Sequence, residues 1–144
     1  MTSRILIRSG FVASIAAAAF ALQIGPASAS TTVSVKTTDG GAIGGTAIVW
    51  GDSKFWVDES LHDRETLGAC DKQADGLRVW AVATYPVGDH FQAKTVEDAD
   101  GAGNGCKHLV LPNIPEGKTI EITACLKDGA DGTPKYCGRG KAIA

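Results

Sequence analysis

Residues 67–85, which read LGACDKQADGLRVWAVATY, decide the fold. A cysteine and a turn rich in aspartate and glycine lead into the longest strand-like run of the chain. Apolar side chains fall on alternate positions of this run, the period of a half-buried strand, at Leu77, Val79, Ala81, Ala83 and Tyr85. The intervening positions are Arg78, Trp80, Val82 and Thr84. They are too apolar for a fully hydrated face. The pattern therefore predicts a central strand that is covered, at least in part, on both faces.

Residues 1–29 have the composition of a secretion signal peptide. A basic start is followed by a short alanine-rich apolar run and a small-residue cleavage site, at Arg4, Arg8, Phe11–Leu22 and Ala27-Ser28-Ala29. The apolar run is too short to cross a bilayer, which takes about 20 residues. We therefore expect an extracellular protein whose mature chain begins at Ser30 and contains no membrane span.

The charge of the expected mature chain argues against nucleic acid as a partner. Without Arg4 and Arg8 the chain has 12 basic and 16 acidic residues, a net charge of −4. Phosphate binding requires a basic field, and no cluster of lysine or arginine occurs here. The residues also contain no phosphate loop, no paired nucleophile and base, and no Cys-x-x-Cys spacing. We expect no cofactor, no metal and no catalytic residue.

All four cysteines, Cys70, Cys106, Cys125 and Cys137, lie in the expected mature chain. An even number of cysteines in a small exported domain predicts two disulfides, for which three pairings are possible. We favour Cys70–Cys106 with Cys125–Cys137, because these bridges join neighbouring segments.

Short strand candidates separated by turns account for almost all of residues 31–143. Seven to nine strands, with turn signals every 8–12 residues, predict an all-β fold: a small antiparallel β-sandwich, immunoglobulin-like or barrel-like, spanning 46–144. Gly51-Asp52-Ser53 is interpreted as a hairpin turn between two short strands. The charged segment Asp58–Glu65 is the only place where we expect a helical turn.

The turn Asp71–Gly76 has two interpretations. Its oxygen donors and glycine match the start of a calcium-binding loop, but the glutamate expected at the twelfth place is replaced by Val82. A tight turn, in which aspartate side chains accept backbone hydrogen bonds, explains the same residues. We favour the turn.

The segment 30–45 is interpreted as an extended strand on a glycine-rich hinge. Such a strand could pair with another protein, in which case we expect partner contacts from Thr31, Thr32, Val33, Ser34, Val35 and Lys36. In the alternative, the strand folds back as the first edge strand of its own sandwich.

Aromatic residues suggest a second contact surface. We expect Trp50, Phe55 and Trp56 to contribute to it, because Phe55 and Trp56 face opposite sides of a strand and at least one must project outward. In the alternative, Trp50 and Trp80 fill the core and Trp56 covers an edge.

Longer motifs carry a resemblance to known proteins. CDKQADGLRVWA at 70–81, NGC at 104–106, EGKTIEITAC at 116–125 and Cys137 resemble a group of small exported actinobacterial β-proteins with two disulfides. The chain is also similar in build to the small adaptor subunit of umbrella-shaped antibacterial toxin particles. That resemblance implies a non-enzymatic adaptor in interbacterial competition, which joins a toxin-bearing subunit to a lectin-like subunit.

We therefore expect a secreted module that acts by contacting other secreted proteins. Two other functions fit the same residues. A secreted inhibitor of proteases or other hydrolases would use the segment between Cys125 and Cys137 as an exposed loop. A carbohydrate or cell-wall binding module would use Trp50 or Trp56 as a stacking surface.

Overall fold

The computed structural model describes residues 30–40, 43–57 and 59–144. The predicted signal peptide, residues 41–42 of the predicted hinge and Asp58 lie outside these ranges. The strands are β1 (Val33–Lys36), β2 (Gly45–Val57), β3 (Ser60–Asp71), β4 (Arg78–Val87), β5 (His90–Asp98), β6 (Cys106–Val110), β7 (Thr119–Lys127) and β8 (Lys135–Ile143). The described residues include no helix, and so none that is long and apolar enough to cross a membrane.

The eight strands form two four-stranded antiparallel sheets. Sheet A has the order β1-β2-β3-β6 and sheet B the order β5-β4-β7-β8. Each sheet turns alternate side chains toward the other, as expected when two sheets bury one face each. The predicted all-β sandwich is confirmed. Its largest buried side chains include Val49 and Leu67 from sheet A, and Val79, Tyr85, Ile120 and Ile122 from sheet B.

Strand β4 is the central strand that the sequence predicts. It lies between β5 and β7, and its inward side chains Val79, Ala81, Ala83 and Tyr85 are fully buried. The alternate side chains are half-buried on the outer face of sheet B. Trp80 is one of these, so the alternative that placed it in the core is wrong.

Both favoured disulfides are confirmed. Cys70–Cys106 joins directly paired positions of β3 and β6, and Cys125–Cys137 joins β7 to β8. The bridges close loops of 36 and 12 residues. In the chain-entropy view, loops of these lengths stabilise the fold by about 4 and about 3 kcal/mol.

The segment Gly51-Asp52-Ser53 is a bulge and not a hairpin turn, so the predicted turn is wrong. Strand β2 runs through it, and the pairing with β3 shifts by one residue between Trp50–Thr66 and Ser53–Arg64. Two residues of β2, Gly51 and Asp52, thus oppose the single residue Glu65. Glycine and aspartate adapt to a bulge as readily as to a turn, which explains the error.

The predicted helical turn at Asp58–Glu65 is also wrong. Strand β3 begins at Ser60, and the turn before it includes Glu59 with a left-handed φ of 62°. Leu61 and Arg64 are exposed. In this segment Arg64 contacts solvent whereas Glu65 is buried. The residues form a strand because pairing with β2 overrides local helix preference.

Candidate interaction surfaces

The predicted contact residues Thr31–Lys36 comprise strand β1 and the two residues before it, and β1 lies at one edge of sheet A. It pairs with β2 from Val33 opposite Val49 to Lys36 opposite Thr46. The Thr31 amide donates to the Ile143 carbonyl at 3.0 Å, and the Thr38 amide donates to the Tyr136 carbonyl at 2.9 Å. The strand therefore folds back onto its own domain and connects the edges of the two sheets.

Two glycines of β8 allow β1 to approach this closely. A Cβ atom at Gly138 would overlap the Lys36 carbonyl oxygen, and one at Gly140 would lie 2.6 Å from Val35 Cγ2. Val35 is buried in the core. Of the predicted contact residues, Thr31, Thr32, Ser34 and Lys36 are exposed, whereas Val33 and Val35 pack inward.

Trp50 lies on the outer face of sheet A and not in the core. A Cβ at Gly68 would lie 2.5 Å from the indole ring, so the absence of a side chain at this position leaves the space that the ring occupies. The ring centroid of Trp50 is 5.2 Å from that of His108, at an angle of 49°. Burial lowers the pKa of His108, a shift that the carboxylate of Asp98 partly offsets. Trp50 is thus half-buried within its own domain.

Trp56 lies near the end of the β2–β3 hairpin and forms an exposed apolar pair with Leu61. The two residues are direct cross-strand partners, and their exposed fractions are 68% and 50%. Directly opposite residues of an antiparallel pair place their side chains on the same face. The Phe55 backbone belongs to the same strand, and its side chain lies outside what the structure describes. We call Trp56 and Leu61 the tip pair.

A groove of about 430 Å³ runs beside the tip pair. It lies where the edge of β6 meets β5, and its lining residues are Trp56, Val57, Val96, Glu97, Cys106, Lys107 and His108. Strands β1 and β6 are the opposite edges of sheet A. Of the predicted aromatic group, Trp56 therefore lies on the β6 side of the sandwich, whereas Trp50 lies on β2, directly beside β1.

The Asp71–Gly76 segment has the hydrogen bonds of a turn. Asp71 Oδ1 accepts from the Gln73 amide at 2.9 Å, Asp75 Oδ1 accepts from the Leu77 amide at 2.9 Å, and Gly76 has a φ of 79°. Burial, followed by the charges of Asp75 and Asp98, raises the pKa of Asp71. No group of three metal-ligating side chains is found in the part of the chain that the structure describes.

An ionic cluster fixes the start of the loop between the cysteines of β7 and β8. The Lys127 ammonium donates to Glu97 at 2.6 Å and to the Ala130 carbonyl at 2.7 Å, and Arg78 lies 3.3 Å from Glu97. Burial opposes ionisation of Glu97, but the hydrogen bonds from Lys127 and Arg78 outweigh it and lower the pKa of this carboxyl. Lys127 also lies 5.9 Å from the Trp80 ring centroid.

Sequence reasoning missed two features of the surface. Phe91 on edge strand β5 is 76% exposed, although its alternation with Ala93 is typical of a buried face. Asp52, Glu65 and Glu116 form an acidic cluster at one end of the sandwich. These three residues are far apart in the sequence, so no spacing could reveal the cluster.

The fold and its surfaces define a small all-β sandwich with two disulfides, which are typical of exported domains. Comparison of the chain with protein-family models, with curated proteins and with solved structures finds no match.

Proposed function

We propose that this protein is a secreted, non-enzymatic protein–protein interaction module that serves as an adaptor between subunits of a secreted antibacterial toxin assembly. The observation that carries the proposal is the tip pair, in which Trp56 and Leu61 are exposed side by side. Tryptophan is among the residues most enriched in interface hot spots, and here it is exposed. The small groove beside the pair offers a pocket for a partner side chain.

The positions of the two candidate surfaces support the adaptor role in particular. An adaptor must bind two partners at once, so its contact surfaces must not overlap. Trp56 of the tip pair lines the groove beside β6, and the exposed side of β1 lies at the opposite edge of sheet A. We propose that one partner binds each surface, the β1 partner through the exposed residues Thr32, Ser34 and Lys36.

Binding at β1 then requires no release of the strand. Val35 is part of the core, and β1 is hydrogen-bonded to β2 and tied to β8. Detaching it would expose this core and break those hydrogen bonds. The strand therefore presents its outer side to a partner while it remains in its own sheet.

Affinity purification from culture supernatant, followed by mass spectrometry, tests the proposal. The double variant Trp56→Ser and Leu61→Ser should lose one co-purifying protein and keep the other. Phe91→Ser is the matched control, because it removes an equally exposed aromatic from a different strand. In the same experiment, Ser34→Glu with Lys36→Glu should lose the second protein only. An unchanged set of partners in all variants would refute the adaptor.

The loop between Cys125 and Cys137 favours a hydrolase inhibitor as a second candidate. The disulfide closes this loop, Lys127 fixes its start, and Tyr136 is 51% exposed with a φ of 53°. A rigid exposed loop is what an inhibitor presents to a protease cleft. Titration against secreted proteases should then give stoichiometric loss of turnover, and loss of that inhibition in a Tyr136→Ser variant.

A further inference from the structure

The acidic cluster contains a buried carboxylate with few hydrogen-bond donors. Glu65 points from β3 toward the interior, is 0% exposed, and neither of its carboxylate oxygens has a well-formed hydrogen bond. Burial raises its pKa; the nearby backbone amides of Glu65 and Ile114 partly offset this shift, and the charge of Asp52 adds to it. A buried carboxylate with so few donors stays ionised only if a cation lies nearby; otherwise it takes up a proton.

Two further carboxylates surround the same point. The bulge of β2 places Asp52 opposite Glu65. Glu116, in the loop between β6 and β7, lies within hydrogen-bond reach of the Asp52 carboxyl, and this contact raises the pKa of Glu116. Arg64 is the cation whose charge reaches Glu65, but it is exposed and no ion pair among the described residues joins it to the cluster. The cluster therefore has an excess of negative charge.

The residues before β1 bring Ser30 to this cluster. Val33 pairs with Val49, and the chain that precedes Val33 runs alongside the bulge of β2. Ser30 is in contact with the bulge, because a Cβ at Gly51 would overlap the Ser30 hydroxyl. That hydroxyl is buried and has no hydrogen-bond partner. The bonds between Thr31 and Ile143 hold the chain in this position.

We propose that the carboxylates of Asp52, Glu65 and Glu116 form an intramolecular binding site for the α-ammonium group of Ser30. Export would create this group, since hydrolysis of the Ala29–Ser30 amide by a signal peptidase consumes one water and releases a carboxylate on Ala29 and an amine on Ser30. The amine takes up a proton near neutral pH and has three N–H donors, which match three carboxylates. Before cleavage the same nitrogen is a neutral amide with a single donor.

The consequence is that cleavage before Ser30 stabilises the fold. The new charge neutralises part of the acidic cluster and fastens β1 at its first residue. The exported, cleaved chain is then more stable than the uncleaved chain. This inference depends on cleavage at Ser30 and not on the proposed adaptor function.

Three proteins test the site: the chain beginning at Ser30, the same chain with an acetylated α-amine, and the chain beginning at Ala29. The α-amine pKa of the first protein, measured by NMR titration, should exceed about 8.5, against an ordinary value of about 7.7–8.0. Its Tm at pH 7 should exceed that of the acetylated protein by about 4 °C, as expected for a pKa rise of about one. The Ala29 protein should resemble the acetylated one.

Variants of the cluster separate a charge effect from a steric one. Asp52→Asn, at an exposed position, should reduce the Tm difference between free and acetylated Ser30 by about half or more, and Glu65→Gln should abolish it. The difference should also disappear above the α-amine pKa. An ordinary α-amine pKa with equal Tm values for all three proteins would overturn the proposal. So would a calcium or magnesium titration that stabilises the free and acetylated proteins equally.

Discussion

Replacing Gly138 by alanine is expected to weaken the attachment of β1. The added Cβ would overlap the Lys36 carbonyl oxygen, a backbone atom that can move only if the whole strand shifts. Overpacking of this kind costs about 1–3 kcal/mol. Alanine also restricts the unfolded chain, which stabilises by about 0.4–1 kcal/mol. The overlap is the larger effect, so we expect a net loss of about 1–2 kcal/mol.

Denaturant unfolding and hydrogen exchange measure the two parts of this prediction. The unfolding free energy should fall by the amount given above, with a Tm lower by roughly 4 °C per kcal/mol. Amide exchange in residues 31–38 should accelerate more than exchange in β7, because the atoms nearest to the new methyl group belong to Lys36 and Val35 of β1. Gly140→Ala is the matched comparison. Its Cβ meets Val35 Cγ2, a side-chain atom that can move more easily, so its cost should be smaller.

The result that refutes this reasoning is specific. If Gly138→Ala leaves both stability and the exchange of residues 31–38 unchanged, β1 does not rest on β8 in solution. A strand that spends its time detached from the domain would then be the better description, and contact with a partner by strand exchange would regain support.

Three further substitutions test other parts of the structure. The pKa of Asp71 is raised in the folded state, so its ionised form disfavours folding, and this cost disappears as the pH falls toward about 4. The Asp71→Asn variant removes the charge and keeps the acceptor for the Gln73 amide. Urea unfolding should therefore show a gain in unfolding free energy of about 1 kcal/mol at pH 7 and little change below about pH 4. Removing the Cys125–Cys137 bridge by double alanine substitution should lower the unfolding free energy by about 3 kcal/mol without changing the fold seen by circular dichroism; a loss below about 1 kcal/mol would show that the loop is already ordered without it. Lys127→Met leaves the Glu97 carboxylate with Arg78 as its one cation. Thermal unfolding should then show an unfolding free energy lower by about 1–3 kcal/mol, and an unchanged Tm would contradict a structural role for the Lys127–Glu97 pair.

Alternation predicted the centre of the molecule well. Strands with one buried face carry a period-two signal, and β4 and β7 both show it clearly. Val79 and Ala81 face inward on β4, as do Ile120 and Ile122 on β7. The even cysteine count predicted two disulfides, and the favoured pairing is confirmed because β3 lies beside β6 and β7 beside β8.

The β2–β3 hairpin was the least predictable part. Glycine and aspartate at 51–52 suit a turn and a bulge equally, and only the pairing with β3 selects the bulge. Trp50 presents a similar difficulty. Its size suggests the core, but the space above Gly68 exists only once β3 and β6 lie side by side.

The candidate surfaces depend even more on tertiary structure. Whether β1 stays in its own domain is decided by two glycines a hundred residues further along the chain, Gly138 and Gly140. The acidic cluster around Glu65 draws on three separate segments, and no local pattern connects them.

The order of residues along the chain thus specifies an all-β protein with two cross-links and a central strand, because hydrophobic period and cysteine spacing are local properties of a sequence. The bulge, the attachment of β1 and the acidic cluster were decided by packing. Each of them depends on atoms from distant segments that meet only when the two sheets have come together, and contacts of that kind leave no periodic trace in the sequence.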